Sequence, residues 1–528
     1  MKRISKNNPK KVCIAVMAAM MMMSYGCGVQ SDVQIQGNTS EEIQTQEVNM
    51  SAAGSAAGTA GDTASETIEN TADGEHAITA DGETADYSNI KVIKSGEADG
   101  DEADFYGENS AVFATNKATL NLSDIEVTTN GTHANAVFSY GEGTTVNISG
   151  STIETTGNCS GGIMTTGGGT MNASDLTIHT TGNSSAAIRS DRGGGTVNVS
   201  GGTYSTEGSG SPAIYSTADI TVSDAELSST ASQGVVVEGQ NSVTLNNVTL
   251  NADNNTKNSD KSDRYQAVMI YQSMSGDADE GKAEFTMNGG TLTNSNGDIF
   301  FVNNTVAAVN LSGADIVNNG DGVFLRAEAA GWGNEGSNGG HVDLKADGQK
   351  IDGDMTVDDI STLNLYLSNG SEFTGAVTGK DSSDASGTVG DIYVELDGSS
   401  KWTLTGDSYI TSLSCDEDSI VLNGYKLYVD GEEYKEGSAS EGEAIVAEVQ
   451  SSGRGEGQAP IEGGKGPEGR PESGEAPEGG SGKGGPGKMG TPPDGNGDLN
   501  RMGLSSNGMG TPPDGNGGPG GMGNEKFY

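Results

Sequence analysis

Residues 110–211 constrain this chain more than any other stretch, because they carry one pattern written four times. The four lines are SAVFATNKATLNLSDIEVTTNGTHA, NAVFSYGEGTTVNISGSTIETTGNCS, GGIMTTGGGTMNASDLTIHTTGNSS and AAIRSDRGGGTVNVSGGTYSTEGSGS. Each holds an apolar triplet, a polar turn, a strand alternating apolar and polar residues, a second turn, a third short strand and a Thr/Gly/Asn corner. The repeat is 25 or 26 residues long. Its triplet centres fall at Val112, Val137, Ile163, Ile188, Ile214, Val236, Met269, Phe300 and Phe324. Departures from this step are confined to the turns, as solenoids allow.

The alternating strand reads Leu120/Leu122, Val146/Ile148, Met171/Ala173, Val197/Val199, Ile220/Val222 and Val243/Leu245. Period two puts these apolar pairs on one face and the residue between them on the other. That outer residue is Asn121, Asn147, Asn172, Asn198, Thr221 and Thr244, with Thr286, Asn310, Asp343 and Asn364 expected to continue the row. Three strands per turn of fixed length describe a parallel β-helix, each rung hydrogen-bonded to the next at about 4.8 Å. Only 32% of the residues are hydrophobic and 5% aromatic. Several conventional cores need roughly 45–50% apolar residues, whereas a thin continuous stack needs fewer. The expectation is an all-β chain, a single parallel β-helix of about 13 rungs over residues 86–431, closed by a Tyr-richer C-terminal cap.

The flanks differ in composition. Lys2, Arg3, Lys6, Lys10 and Lys11 precede an apolar run over residues 12–23, too short to span a bilayer and of the length of a signal peptide. Ser24-Tyr25-Gly26-Cys27 resembles a bacterial lipoprotein lipobox. The resemblance implies a signal peptide over residues 1–26, lipidation of Cys27, and a membrane-anchored, extracytoplasmic, surface-exposed protein. Residues 27–85 read as a flexible acidic tether reaching roughly 40 Å. Residues 432–528 read as a disordered Gly/Pro-rich tail in which MGTPPDGNG occurs twice. The formal net charge of −46 falls to −51 once the signal's five positive charges are removed. Such a surface repels nucleic acid and anionic lipid headgroups. Cys159 and Cys415 lie about ten rungs apart and are not expected to pair.

The repeat resembles the right-handed parallel β-helix superfamily, the pectin-lyase-like fold. Within it, the chain is similar to uncharacterised surface lipoproteins and adhesin-like proteins of clostridia and relatives. GSPAIYSTADITVSDAELSSTASQGVVVEG (210–239), DGVFLRAEAAGWGNEGSNGG (321–340) and SKWTLTGDSYITSL (400–413) carry the likeness. It implies a fold and a right hand, but lyases, hydrolases and adhesins all use that fold. The hydrolase motifs of the family are incomplete: Gly339-Gly340-His341 and Asp358-Asp359 stand in reversed order.

Two lengthened turns are the candidate binding places, residues 251–266 followed by 272–282, and residues 326–341. Trp332, in a Gly-rich loop, either stacks on a sugar ring or folds back over the rung. Arg326, His341 and Tyr265 are the further ligand-binding candidates, with Arg326 expected to pair with an acid. Asp253, Asp260, Asp263, Asp277 and Asp279 could gather calcium, although a solvated acidic loop is the plainer reading. His133 and His179 fall at a corner and in a strand of separate rungs, and four His in the chain argue against zinc. The leading expectation is a non-catalytic, lipid-anchored, adhesin-like or glycan-binding protein, with polysaccharide or a host or biofilm surface as partner. The alternatives are a polysaccharide lyase or glycoside hydrolase, and an architectural spacer.

Overall fold

The computed structural model describes residues 66–257, 259–379 and 390–446. Cys27, the expected signal peptide, the expected tether through residue 65 and the expected tail from residue 447 lie outside the described residues. The chain is a parallel β-helix. Three long sheets, visited in turn by successive strands, form most of it, and two short sheets, of four strands from Lys350–Asp352 and of three from Ser408–Ile410, complete the late rungs. Sheet A holds ten strands, from Glu66–Asn70 to Asp315–Asn318. Sheet B holds twelve, from Ile78–Asp81 to Val377–Thr378. Sheet C holds thirteen, from Thr84–Ser88 to Ser412–Ser414, and so meets the expected rung number.

The inward column of sheet C runs Leu120, Val146, Met171, Val197, Ile220, Val243, Phe285 and Val309, one residue directly above the next. All eight are essentially unexposed. Each buried aliphatic of this kind contributes about 1.5–3 kcal/mol, so a thin core suffices because it is continuous. The corner from sheet C to sheet A is one left-handed residue, where Asn, Asp and Gly are favoured. It is Asn89, Asp124, Gly150, Asp175, Gly201, Asp224 and Asn247 in successive rungs, with φ between 52° and 71°. A second glycine column has another cause. A Cβ on Gly131, Gly157, Gly182 or Gly208 would overlap the carbonyl oxygen of the glycine one rung below.

The structure corrects the expected boundaries and register in three places. The first rung begins at Glu66, about twenty residues before the expected start, so residues 66–85 are solenoid and not tether. Those residues look tether-like because the rung presents few aliphatics inward. Next, Ile214 pairs with Val235, Val235 with Val268, Val268 with Phe300, and Phe300 with Leu325. Val236 and Met269 therefore point outward on sheet B, since a slip of one residue exchanges the faces. Finally, the row Asn121–Asn198–Thr221–Thr286–Asn310 continues to Lys345 and Tyr366. Asp343 and Asn364 belong to the neighbouring row that begins Thr119, Thr145, Thr170, Thr196.

The C-terminal end extends past residue 431. Glu432–Glu433 turns back antiparallel on Leu427–Val429, and Ser440 bridges to Cys415. Residues 440–446 then cross the outer face of sheet C at its late rungs, where Ile445 bonds Asn364.

Candidate functional site

The outer face of sheet C presents three parallel rows over its first rungs: Thr119, Thr145, Thr170, Thr196; Asn121, Asn147, Asn172, Asn198; and Ser123, Ser149, Ser174, Ser200. Along the middle row each amide donates to the residue one rung toward the N-terminus. Asn198 Nδ2 donates to Asn172 Oδ1 at 3.0 Å, Asn172 to Asn147 at 2.9 Å, and Asn147 to Asn121 at 2.8 Å. Asn121 closes the row on Asp86 Oδ1 at 2.8 Å. A primary amide carries two N–H donors and two acceptor lone pairs. The ladder uses one of each, so every inner Asn keeps one N–H and one lone pair. These face a groove of about 700 Å³ that spans the rungs from Asp86 to Thr221 and is floored by the Asn and Ser rows. That volume lies within the range of ligand sites.

Farther along the same face, an outward Asn shows what such remaining groups can grip. Asn364 Nδ2 donates to Asp343 Oδ1 at 2.9 Å, the usual ladder bond. It also donates to the Ile445 carbonyl at 2.9 Å, and its Oδ1 accepts the Ile445 N–H at 2.9 Å. One outward Asn thus holds the ladder and the N–H and C=O of a single residue, which belong to two successive peptide groups.

The long insertions do something else. The middle strands of sheet B are buried on both faces, as in Gln266–Tyr271 and Asp298–Asn303. Their outer residues form a second apolar cluster of Ala186, Tyr215, Val236, Met269, Tyr271, Phe301 and Trp332. Trp332 is 7% exposed and meets Tyr271 edge-on at 5.3 Å, so the indole folds back over the rung and offers no sugar platform. Arg326 is buried against Asp298, at 2.6 Å, and Glu328, at 3.6 Å. His341 is buried with Nδ1 at 3.1 Å from the Thr362 hydroxyl, and burial lowers its pKa. Tyr265 is half-buried and packs over Gly297. The two insertions do meet: the Gly331 N–H donates to the Lys261 carbonyl at 2.7 Å, and Arg264 pairs with Glu328 at 3.0 Å. The cavity between them, about 30 Å³, is far below the volume of a ligand site.

The acidic residues of the first insertion do not converge. Asp263 pairs with Lys257, and Asp277 with Arg192 at 2.6 Å, while Asp260 and Asp279 are exposed and Asp253 is half-buried. The chain's own cations thus occupy two of the five carboxylates proposed for calcium. Under the insertion lies a buried polar group. Glu238 Oε2 accepts the hydroxyls of Tyr215 and of Tyr271, the latter at 3.1 Å. Arg189 pairs with Asp191 at 2.9 Å, both 1% exposed. Burial, reinforced by Asp277, raises the Glu238 carboxyl to about 7. Burial likewise pushes Asp191 well above the usual carboxylate range.

A further cluster escapes a linear reading. Asp104, His133 and Cys159 are all buried, and their donor atoms lie within 4.8 Å of one another. His133 sits at a corner and His179 in a strand, as expected. The zinc argument from the number of His missed that Cys159 stands one rung from His133 and that an insertion delivers Asp104. The aligned repeats TTNGTHA and TTGNCS hold the first half of that signal, and Asp104 lies outside the repeat. Neither Cys159 nor Cys415 forms a disulfide. Trp402 lies in the core, stacked on Phe373 at 5.5 Å.

No family model, no curated protein and no solved structure matches the chain.

Proposed function

We propose that this chain is a non-catalytic, surface-displayed β-helix that binds a neutral, amide-bearing glycan along the sheet C groove. The carrying observation is the unused N–H and lone pair on each inner Asn, together with the grip of Asn364 on the N–H and C=O of Ile445. An N-acetylhexosamine likewise offers an amide N–H and C=O in its acetamido group, and because these point in opposite directions they would be met by different side chains of the groove. Rungs repeat at about 4.8 Å, close to the length of one pyranose unit in an extended β-linked chain, so neighbouring sugars can address neighbouring rungs. The charge of −46 favours neutral over acidic polysaccharide. The lipobox-like residues 24–27, and the resemblance to clostridial surface lipoproteins and to the pectin-lyase-like superfamily, support display outside the cell on a lipid anchor.

Calorimetry of the full chain with chito-oligosaccharides, cello-oligosaccharides and polygalacturonate tests this reading. Binding is expected for the acetylated series and is expected to weaken tenfold or more in Asn147→Ala/Asn172→Ala, at about 0.5–1.5 kcal/mol per lost hydrogen bond. Failure to bind any of the three favours a spacer. Release of reducing or unsaturated sugar favours an enzyme.

A further inference from the structure

His133, Cys159 and Ser184 occupy one corner column, between sheets A and B, in successive rungs. All three are left-handed, with φ of 56°, 54° and 54°. Their N–H groups donate up the column, to Asn158, Asn183 and Ser209 carbonyls at 3.0, 2.8 and 3.0 Å. Left-handed backbone is costly for residues other than Gly, Asn and Asp. Here it stacks the His133 and Cys159 side chains about one rung apart. Residues 95–110, an insertion carrying the short helix Asp101–Phe105, close over this column. The helix supplies Asp104, whose Oδ1 lies 2.7 Å from His133 Nδ1. Asp99, largely exposed, places its Oδ1 3.8 Å from the other ring nitrogen. Asp104, His133 and Cys159 are 2%, 0% and 4% exposed.

One carboxylate, one imidazole and one thiol form a donor set that hard cations do not choose. Calcium and magnesium take oxygen ligands, whereas zinc and its borderline neighbours take nitrogen, sulfur and oxygen together. Zinc–ligand bonds of about 2.0–2.3 Å at tetrahedral angles hold donors roughly 3.5 Å apart. Starting within 4.8 Å, the three groups close on such an ion by small side-chain shifts. We propose that Asp104, His133 and Cys159 form a binding site for zinc or a similar borderline divalent ion, with water as the fourth ligand. Loading displaces the thiol proton of Cys159 and any proton held between His133 and Asp104.

The site fastens the insertion, which belongs to the second rung, to the third and fourth rungs. That insertion is already laid along the outer face of sheet B. The Thr166 hydroxyl donates to the Phe105 carbonyl at 2.7 Å, and the Arg192 guanidinium lies 3.6 Å over the Phe105 ring. The competing use of the same residues is a thiol nucleophile with His133 as its base. A nucleophile must be reached by its substrate, and a cysteine 4% exposed beneath a closed insertion is placed for a metal ion.

Cobalt(II) titration of the chelator-treated full chain tests the site. One equivalent is expected to give a thiolate-to-cobalt charge-transfer band that zinc abolishes, and loading should slow alkylation of Cys159. Cys159→Ser suits the fold, since Ser184 occupies the same column at the same φ. His133→Asn suits it too, since Asn tolerates left-handed backbone. Each variant should lose the band and weaken binding by more than about a hundredfold, while Cys415→Ser keeps both. Circular dichroism confirms that each variant is folded, and Asp104→Asn serves if either is not. Absence of the band, its persistence in Cys159→Ser and His133→Asn, or alkylation of Cys159 at one rate with and without metal would overturn the proposal.

Discussion

Glu238 is sealed from water between the Tyr215 and Tyr271 hydroxyls, with Asp277 nearby. Burial lifts its carboxyl from 4.5 to about 7, so the folded chain keeps a proton that the unfolded chain gives up. The stability this group contributes is fully present below pH 4.5 and is lost as pH rises to about 7. The size is on the order of 3 kcal/mol. Glu238→Gln leaves both tyrosines an acceptor and does not titrate. The melting temperature of this variant, relative to the parent chain, should climb by a few degrees between about pH 4.5 and pH 8. Two parallel pH profiles would show that the carboxylate is solvated after all.

Columns make the elements, and they make unlike demands on glycine. Gly182 is held by close approach, because a Cβ there meets the Gly157 carbonyl. Gly313 is held by its φ of 60° alone, with no atom within 4 Å of a Cβ. Gly182→Ala is expected to cost about 2 kcal/mol or more. Gly313→Asn should cost less than about 1 kcal/mol, because Asn and Asp fill that corner in other rungs. Urea titrations of the two variants check the contrast. The repeat was legible wherever alternation survived, as in Thr119–Ser123 and Thr145–Ser149. It failed in Val235–Glu238 and Gln266–Tyr271, which are buried on both faces and carry no alternation to read. Glu66–Asn70 was hidden among acidic neighbours. Trp332, Arg326 and His341 drew attention by residue type, yet each is buried against a partner. The Asn row and its outward face were legible in the period-two alternation. The structure adds that the bonding along the row leaves half of each amide unused.

At the scale of the whole molecule, a net charge of −46 opposes compaction. Raising ionic strength from about 0.01 M to 0.15 M shortens the screening length from about 30 Å to 8 Å. The melting temperature should therefore rise over that range, and scanning calorimetry at fixed pH will show it. Binding of a neutral oligosaccharide should stay within about twofold over the same salt series. The amide ladder adds a property that no single rung has. Asp86 can only accept when ionised, so Asn121 must turn its amino group toward it. Asn147, Asn172 and Asn198 must then follow suit. One carboxylate sets the sense of the row, as the first domino sets the direction of fall. A polysaccharide has a sense too, from non-reducing to reducing end. A groove whose amides all face one way can distinguish a glycan from the same glycan laid in reverse, and Asp86→Asn would remove the group that imposes that choice.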